Sequence, residues 1–153
     1  MAKQYAQEEL EIPMQRMEVG DKFITKPGIV TNQLLESFVT LIGLKHPLFL
    51  DDEYAQKRGF KSRLSTGVLT FAFMMGLLFQ AGVIRDGVYL GTDKEKHSSP
   101  VFPGDAITGE IEILNKRLTS KGDNYIITYK FQVRNQEGQV VTEGENTCMF
   151  PAG

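Results

Sequence analysis

The most constraining feature of this 153-residue chain is an uncharged, almost wholly apolar stretch at residues 68–81. Its apolar side chains would lie all the way round a helix, and such a helix is either a core helix or a membrane span. A span needs about 20 apolar residues, and Arg63 and Arg85 flank this stretch too closely for that length. The sequence therefore predicts a buried central helix around which the other elements wrap.

Two predicted helices carry recognisable start and stop signals. Ser65 and Thr66 can cap the start of the central helix, and Gly82 is a suitable stop. Thr31 likewise opens an amphipathic helix that Gly43 ends. Between these two helices the sequence predicts a loop with a His-Pro pair and a short helix capped by an aspartate.

The C-terminal half alternates apolar and polar residues, a pattern typical of strands. Three long strands are predicted at residues 106–118, 125–134 and 139–150, joined by hairpin turns at residues 122–124 and 137–138. A further strand is predicted at residues 83–90, and residues 94–97 are predicted to be the exposed part of another. The pattern favours an antiparallel meander of about five strands with one long helix against it, which is an α+β fold.

Length and charge narrow the possible functions. The chain is expected to form one domain, residues 1–153, with residues 1–18 as a polar surface arm. Its net charge of −2 offers no basic field for nucleic acid or acidic lipid. The single Cys148 excludes an internal disulfide and a cysteine-based zinc site, and is expected to be a small core residue. The N-terminus lacks the apolar segment of a signal peptide, so we expect a cytoplasmic protein without a membrane span.

Three separated motifs carry a family resemblance, in the order HPLFLDDEYAQKRGF, RLSTGVLTFAFMMGLL and SPVFPGD. Together they resemble the MaoC-like acyl dehydratases, specifically the (R)-specific enoyl-CoA hydratase group. The likeness covers roughly residues 19–150. It implies a hotdog fold, in which an antiparallel β-sheet wraps around a long central hydrophobic helix.

The resemblance also implies a chemistry whose usual side chains are absent here. In the family, an Asp and a His in the loop before the central helix hold and deprotonate water for addition to an enoyl thioester. Leu44 and Phe49 stand at those two positions, and His46 stands at the position of the family's Asn. Thr66 stands where the family often has a His, before Gly67. The amides that would stabilise an enolate oxygen at the helix start are therefore retained while the usual base is not.

His46 is the only residue of this loop that can act as a base near neutral pH, and Asp51 is a nearby carboxylate. They can be read as a relocated acid–base pair, or as a surface histidine beside an aspartate that caps a helix. A set of residues is predicted to bind substrate: Phe49, Arg63, Ser65, Thr66 and Gly67. For Arg63 the alternatives are a CoA phosphate contact and a snorkelling surface side chain; for Gly67 they are an oxyanion donor and a small residue needed for packing.

Three further side-chain types are assigned structural roles. His97 lies among lysines and is expected at a solvated surface position. Asp105 is expected to fix a turn, and Met74 and Met75 are expected to fill the core.

Three functions of different classes remain open. The first is an acyl-CoA hydratase or dehydratase of fatty acid metabolism, with an altered active site. The second is a non-catalytic protein that binds acyl thioesters, or the inactive partner subunit of a hotdog hydratase. The third is a scaffold without a ligand. By resemblance we expect a homodimer or a dimer of dimers with ligand sites at the subunit junction, acyl-CoA or an acyl-carrier thioester as the ligand, and no metal or redox cofactor.

Overall fold

The computed structural model describes residues 1–7 and 12–153 of the chain. In these residues the helices are α1 (Asn32–Ile42), α2 (Pro47–Leu50), α3 (Asp52–Lys57) and α4 (Gly67–Gln80), with a 3₁₀ helix at Met14–Arg16. The strands are β1 (Gln4–Ala6), β2 (Lys22–Ile24), β3 (Gly28–Ile29), β4 (Val88–His97), β5 (Ala106–Leu118), β6 (Asn124–Arg134) and β7 (Val140–Pro151).

The strands of the described ranges form one sheet in the order β1-β2-β5-β6-β7-β4, and β3 pairs with the start of β5. Strands β5, β6 and β7 are consecutive antiparallel hairpins, as the alternating pattern predicted. The turns at Gly122 and Gly138 have positive φ angles of 72° and 77°, which glycine adopts without strain. The predicted α+β fold is confirmed, although the sheet is larger than the expected five strands and its β1–β2 pair is parallel.

Helix α4 lies across the inner face of this sheet, as predicted for the apolar stretch. Met74 and Leu78 are fully buried, and the ring of Phe71 packs edge-on against Phe131 of β6 with centroids 5.6 Å apart. Gly109 of β5 allows a close approach, because a Cβ built there would lie 3.2 Å from Met74 Cγ. A sheet wrapped around one central helix is the arrangement that the family resemblance implied. No helix in the described part of the chain is long and apolar enough to cross a membrane.

The predicted caps of both long helices are confirmed. Thr31 Oγ1 accepts a hydrogen bond from the amide of Leu34 at 3.0 Å, and Gly43 ends α1 in the left-handed conformation, with φ of 79°. Thr66 Oγ1 accepts from the amide of Leu69 at 2.9 Å at the start of α4. These caps fix where each helix begins, and so fix the orientation of the loops that precede them.

The predicted surface arm at residues 1–18 is corrected in part: residues 1–4 are exposed, but the segment also contributes to the sheet and the core, and residues 8–11 lie outside the described ranges. Strand β1 pairs with β2. Met14 and Met17 are fully buried. The amide of Met14 donates to the carbonyl of Val83 at 2.8 Å. Two methionines in a polar stretch gave too weak a pattern to reveal this packing.

The strand predicted at residues 83–90 is also corrected. Val83 and Ile84 are buried, but they lie in the turn after α4, and Asp86 has a positive φ of 54° that interrupts an extended strand. The strand begins only at Val88 and continues to His97, so the predicted polar segment at residues 94–97 belongs to it.

Three smaller predictions are confirmed. Cys148 is a buried free thiol, with 2% of its surface exposed, and Met74 is a core residue. Asp105 fixes the turn before β5, because its Oδ2 accepts from the amide of Phe102 at 2.9 Å.

Candidate functional site at the start of the central helix

The start of α4 presents free amide groups. The side chain of Thr66 accepts a hydrogen bond from the amide of Leu69, and its carbonyl accepts one from the amide of Thr70 at 3.0 Å. Among the described residues, nothing accepts a hydrogen bond from the amides of Gly67 and Val68. The positive end of the helix dipole lies at the same place, so this region favours a negatively charged oxygen.

A cavity of about 220 Å³ opens beside this helix start. Its wall combines the entry to α4, the end of β4 and the segment that follows β4: Phe60, Ser65, Gly67, Thr70, His97, Ser98, Ser99, Pro100, Val101 and Thr142. The amide of Ser65 donates to the carbonyl of Val101 at 2.7 Å, which holds two sides of the cavity together. Three of the predicted binding residues, Ser65, Thr66 and Gly67, are therefore at or beside the cavity.

His97 covers the helix start from the neighbouring strand. A Cβ built on Gly67 would lie 3.0 Å from His97 Nε2. The ring is held on both sides: Nδ1 lies 2.9 Å from Thr142 Oγ1, and Nε2 lies 3.3 Å from Glu95 Oε2. His97 is exposed, as expected, with 34% of its side chain accessible, and its ring also forms part of the cavity wall.

An irregularity in β4 accompanies this placement. The pairing of β4 with β7 shifts register between Asp93 and Lys96, and Lys94 has a positive φ of 55°. Beyond the shift, His97 pairs with Thr142, whose hydroxyl then contacts the imidazole. A bulge of this kind re-aims side chains beside a site.

His46 and Asp51 do not line this cavity. His46 is the N-cap of α2, where its Nδ1 accepts from the amide of Leu48 at 3.1 Å. Asp51 is the N-cap of α3, where its Oδ1 accepts from the amides of Glu53 and Tyr54 at 2.9 and 3.3 Å. Each side chain thus satisfies helix amides, and their predicted role as an acid–base pair stays a prediction.

The loop that carries the two family dyad positions lies next to the helix entry. The amide of Leu64 donates to the carbonyl of Leu48 at 3.0 Å, which joins α2 to the residues before α4. Phe49 packs against the hydrophobic core, and Leu44 is 38% exposed. Neither side chain can transfer a proton, and their equivalence to the family's acid–base positions stays a prediction.

Arg63 has two carboxylate partners. Its Nε lies 3.2 Å from Asp52 Oδ1, and Nη1 lies 2.7 Å from Glu36 Oε1. Hydrogen bonds from the backbone and then the side chain of Arg63 lower the pKa of Asp52. Burial alone would lower the pKa of Arg63, but its hydrogen bonds to the two carboxylates outweigh burial and raise it. These pairs connect α1, α3 and the entry to α4, and a CoA phosphate contact for Arg63 stays a prediction.

The sequence of the chain is similar to those of known proteins. The profile of the family described as "MaoC like domain" matches residues 15–135, which is most of the chain. The chain belongs to the MaoC-like dehydratase family. The (R)-specific enoyl-CoA hydratase of Aeromonas caviae is 28% identical to this MaoC-like protein over 137 residues, covering 90% of this chain and 98% of that one. The mitochondrial 3-hydroxyacyl-[acyl-carrier-protein] dehydratase of Arabidopsis thaliana is 26% identical over 136 residues, covering 88% and 78%.

A solved structure supports the same assignment. The unliganded R-hydratase from Pseudomonas aeruginosa superimposes with a TM-score of 0.77 at 28% identity, covering 94% of this chain and 88% of that one. The family and the hotdog fold expected from the three motifs are therefore confirmed.

Glu95 was not predicted to lie at the site, and His97 was predicted without its neighbours Glu95 and Thr142. The available signal was the spacing Glu95-x-His97 within a strand, because residues two apart lie on the same face. Among residues 1–7 and 12–153, no three His, Cys, Asp or Glu side chains are grouped closely enough to hold a metal ion.

Proposed function

We propose that this MaoC-like protein binds an enoyl or 3-hydroxyacyl thioester at the start of α4 and interconverts the two by adding or removing water. The observation that carries the proposal is the cavity beside the free amides of Gly67 and Val68 in a member of this family. Hydration of an enoyl thioester places negative charge on the carbonyl oxygen. Amides at a helix start stabilise such charge when it develops in the transition state.

The size of the cavity limits what it holds. Sites for drug-sized ligands occupy about 300–1,000 Å³, whereas this one has about 220 Å³. It therefore suits the reacting end of the substrate, namely the thioester carbonyl and the first acyl carbons. The carrier, either CoA or an acyl carrier protein, would lie outside it.

A second copy of the chain is part of the proposal. Helix α4 leaves Val68 and Phe79 more than half exposed, at 59% and 52%, although both belong to the apolar stretch. Val88 and Leu90, at the start of edge strand β4, are each 52% exposed. A homodimer, or a pairing with a second hotdog subunit, would cover such apolar surface and could extend the acyl site across the junction.

The second candidate is a non-catalytic acyl-thioester-binding protein or an inactive partner subunit. Its supporting observation is the pair Leu44 and Phe49 at the family's dyad positions, because neither side chain transfers protons. The helix-start amides would still bind a thioester carbonyl in such a protein.

Loss of enoyl absorbance distinguishes the two candidates. Purified protein is mixed with short, medium and branched trans-2-enoyl-CoAs, and the 3-hydroxyacyl product is identified by chromatography. Turnover supports the hydratase. Without turnover, a rise in melting temperature with saturated acyl-CoA would support the binding protein, because a ligand that binds only the native state stabilises it. The absence of both turnover and a thermal shift would contradict both candidates.

A further inference from the structure

We propose that Glu95 and His97 of β4, rather than groups in the loop before α4, form the acid–base pair of this MaoC-like protein. The inference rests on the proposed hydration of an enoyl thioester. It assigns Glu95 as the group that moves the proton and His97 as the group that holds the water. It follows from the placement of the pair, because His97 covers Gly67 at the start of α4 and Glu95 lies within hydrogen-bond distance of its Nε2.

The neighbours of His97 determine where its proton lies. A carboxylate only accepts hydrogen bonds, so Nε2 must carry a hydrogen when it contacts Glu95. Nδ1 then accepts from the hydroxyl of Thr142, which is 1% exposed and fixed by the pairing of β4 with β7. Thr142 is thus a positioning residue, which keeps the Nε2–H on the side of the cavity.

The reacting water is proposed to bind between this donor and this acceptor. The direct contact between Nε2 and Oε2 is long, at 3.3 Å, and both side chains are partly exposed, at 34% and 42%. A small separation would let one water accept from the Nε2–H of His97 and donate to the carboxylate of Glu95. That water would lie next to the amides of Gly67 and Val68, where the thioester carbonyl is proposed to bind.

The hydration step balances with these groups alone. Glu95 takes a proton from the water while the water oxygen forms a bond to C3 of the enoyl thioester. The π electrons of the C2=C3 bond form the C1=C2 bond of an enolate, and the carbonyl π electrons move to the thioester oxygen, which the helix-start amides stabilise. The enolate then collapses, and the protonated Glu95 returns the proton to C2. His97 holds the water through Nε2–H and keeps its own proton throughout.

This arrangement differs from the His46–Asp51 alternative in one geometric respect. His46 and Asp51 direct their polar atoms to the amides of α2 and α3, whereas His97 forms part of the wall of the cavity at α4. Glu95 is not itself part of that wall; its carboxylate is connected to the cavity through the contact of Oε2 with His97 Nε2 at 3.3 Å.

The test compares Glu95→Gln and His97→Gln with wild-type protein in enoyl-CoA hydration. A general base contributes about 10²–10⁴-fold to rate, and misplacing a reacting group can cost about 100-fold. We therefore expect kcat to fall at least about 100-fold in Glu95→Gln and by about 100-fold in His97→Gln, with KM within about threefold. Asp93→Asn, an exposed acid two residues before Glu95 on the same strand, is the matched control and should retain wild-type turnover. Melting temperatures close to the wild-type value would show that the variants are folded.

The outcomes separate this inference from the function on which it rests. If the wild type hydrates enoyl-CoA and both folded variants retain its kcat, the β4 pair is overturned while the hydratase stands. The same conclusion follows if His46→Gln abolishes turnover and His97→Gln does not. If the wild type hydrates no enoyl thioester, the proposed function fails and the inference fails with it.

Discussion

His97 Nε2 lies so close to Gly67 that a Cβ on residue 67 would be only 3.0 Å away. The glycine is not in a positive-φ conformation, so its backbone does not itself require glycine. A methyl group added at residue 67 would instead occupy the space that the imidazole now fills at the start of α4. This contact connects the central helix with β4 and places the imidazole at the proposed site.

Gly67→Ala is expected to lower hydration activity by about tenfold or more, because the methyl group displaces the imidazole from the helix start. The melting temperature should change little, since alanine suits a helix and the neighbouring ring can move outwards. Gly76→Ala is the control, because its added Cβ has no heavy atom nearer than 4.0 Å. It should raise stability by about 0.5–1 kcal/mol and leave turnover unchanged; equal activity in both variants would contradict the role of the contact.

Thr142→Val tests the positioning of the imidazole. The change removes the hydroxyl 2.9 Å from His97 Nδ1 and keeps the shape of the side chain. We expect a loss in kcat of about tenfold with little change in KM, because the ring loses its fixed orientation. Thr142→Ser restores the hydroxyl and should recover most of the rate. Failure of serine to recover it, with both variants folded, would show that Thr142 acts through packing alone.

Asp52→Asn tests the ion pairs of Arg63. Hydrogen bonds from Arg63 hold the pKa of Asp52 below its ordinary value of 3.8. A carboxyl whose pKa is lower in the folded state stabilises the protein above its unfolded pKa, and this contribution is lost as pH falls through the folded value. Wild type should therefore exceed the variant in melting temperature near neutral pH, and the difference should shrink below pH 3.8. A difference that does not depend on pH would contradict this origin.

Met74→Ala tests the packing of α4 on the sheet. Met74 is fully buried and lies against Gly109 of β5. Truncation should reduce the free energy of unfolding by about 2–5 kcal/mol, measured by denaturant titration. Leu41→Ala on α1 is the control, because Leu41 is 85% exposed, and it should change stability by less than about 0.5 kcal/mol. Similar losses in both variants would mean that Leu41 is covered in solution.

The fold could be predicted from sequence where the signal is local. The unbroken apolarity of residues 68–81, the cap at Thr66 and the alternation in β5–β7 each specify an element without reference to distant residues. The burial of Met14 and Met17 could not be predicted in this way, because these residues pack against distant parts of the domain and the Met14 amide bonds to the carbonyl of Val83. Val83 and Ile84 have strand-like side chains, but the turn at Asp86 prevents strand pairing there.

The candidate site was only half predictable. Its helix start followed from Ser65, Thr66 and Gly67 and from the family motif, and the structure places these residues at or beside the cavity. The position of His97 depends on pairing with β7 beyond a register shift, a tertiary feature that no local pattern encodes. A lysine-rich neighbourhood suggested a solvated side chain, although Glu95 and His97 share one face of the strand.

The location of the ligand is tested most directly by imidazole NMR. The chain has only two histidines, His46 and His97, so two ring signals can be assigned with His46→Gln and followed during titration with a saturated acyl-CoA, which cannot be hydrated. We expect the His97 ring signals to shift until the site is saturated while those of His46 stay in place. Shifts of His46 alone at saturating ligand would place the site in the loop and contradict the account.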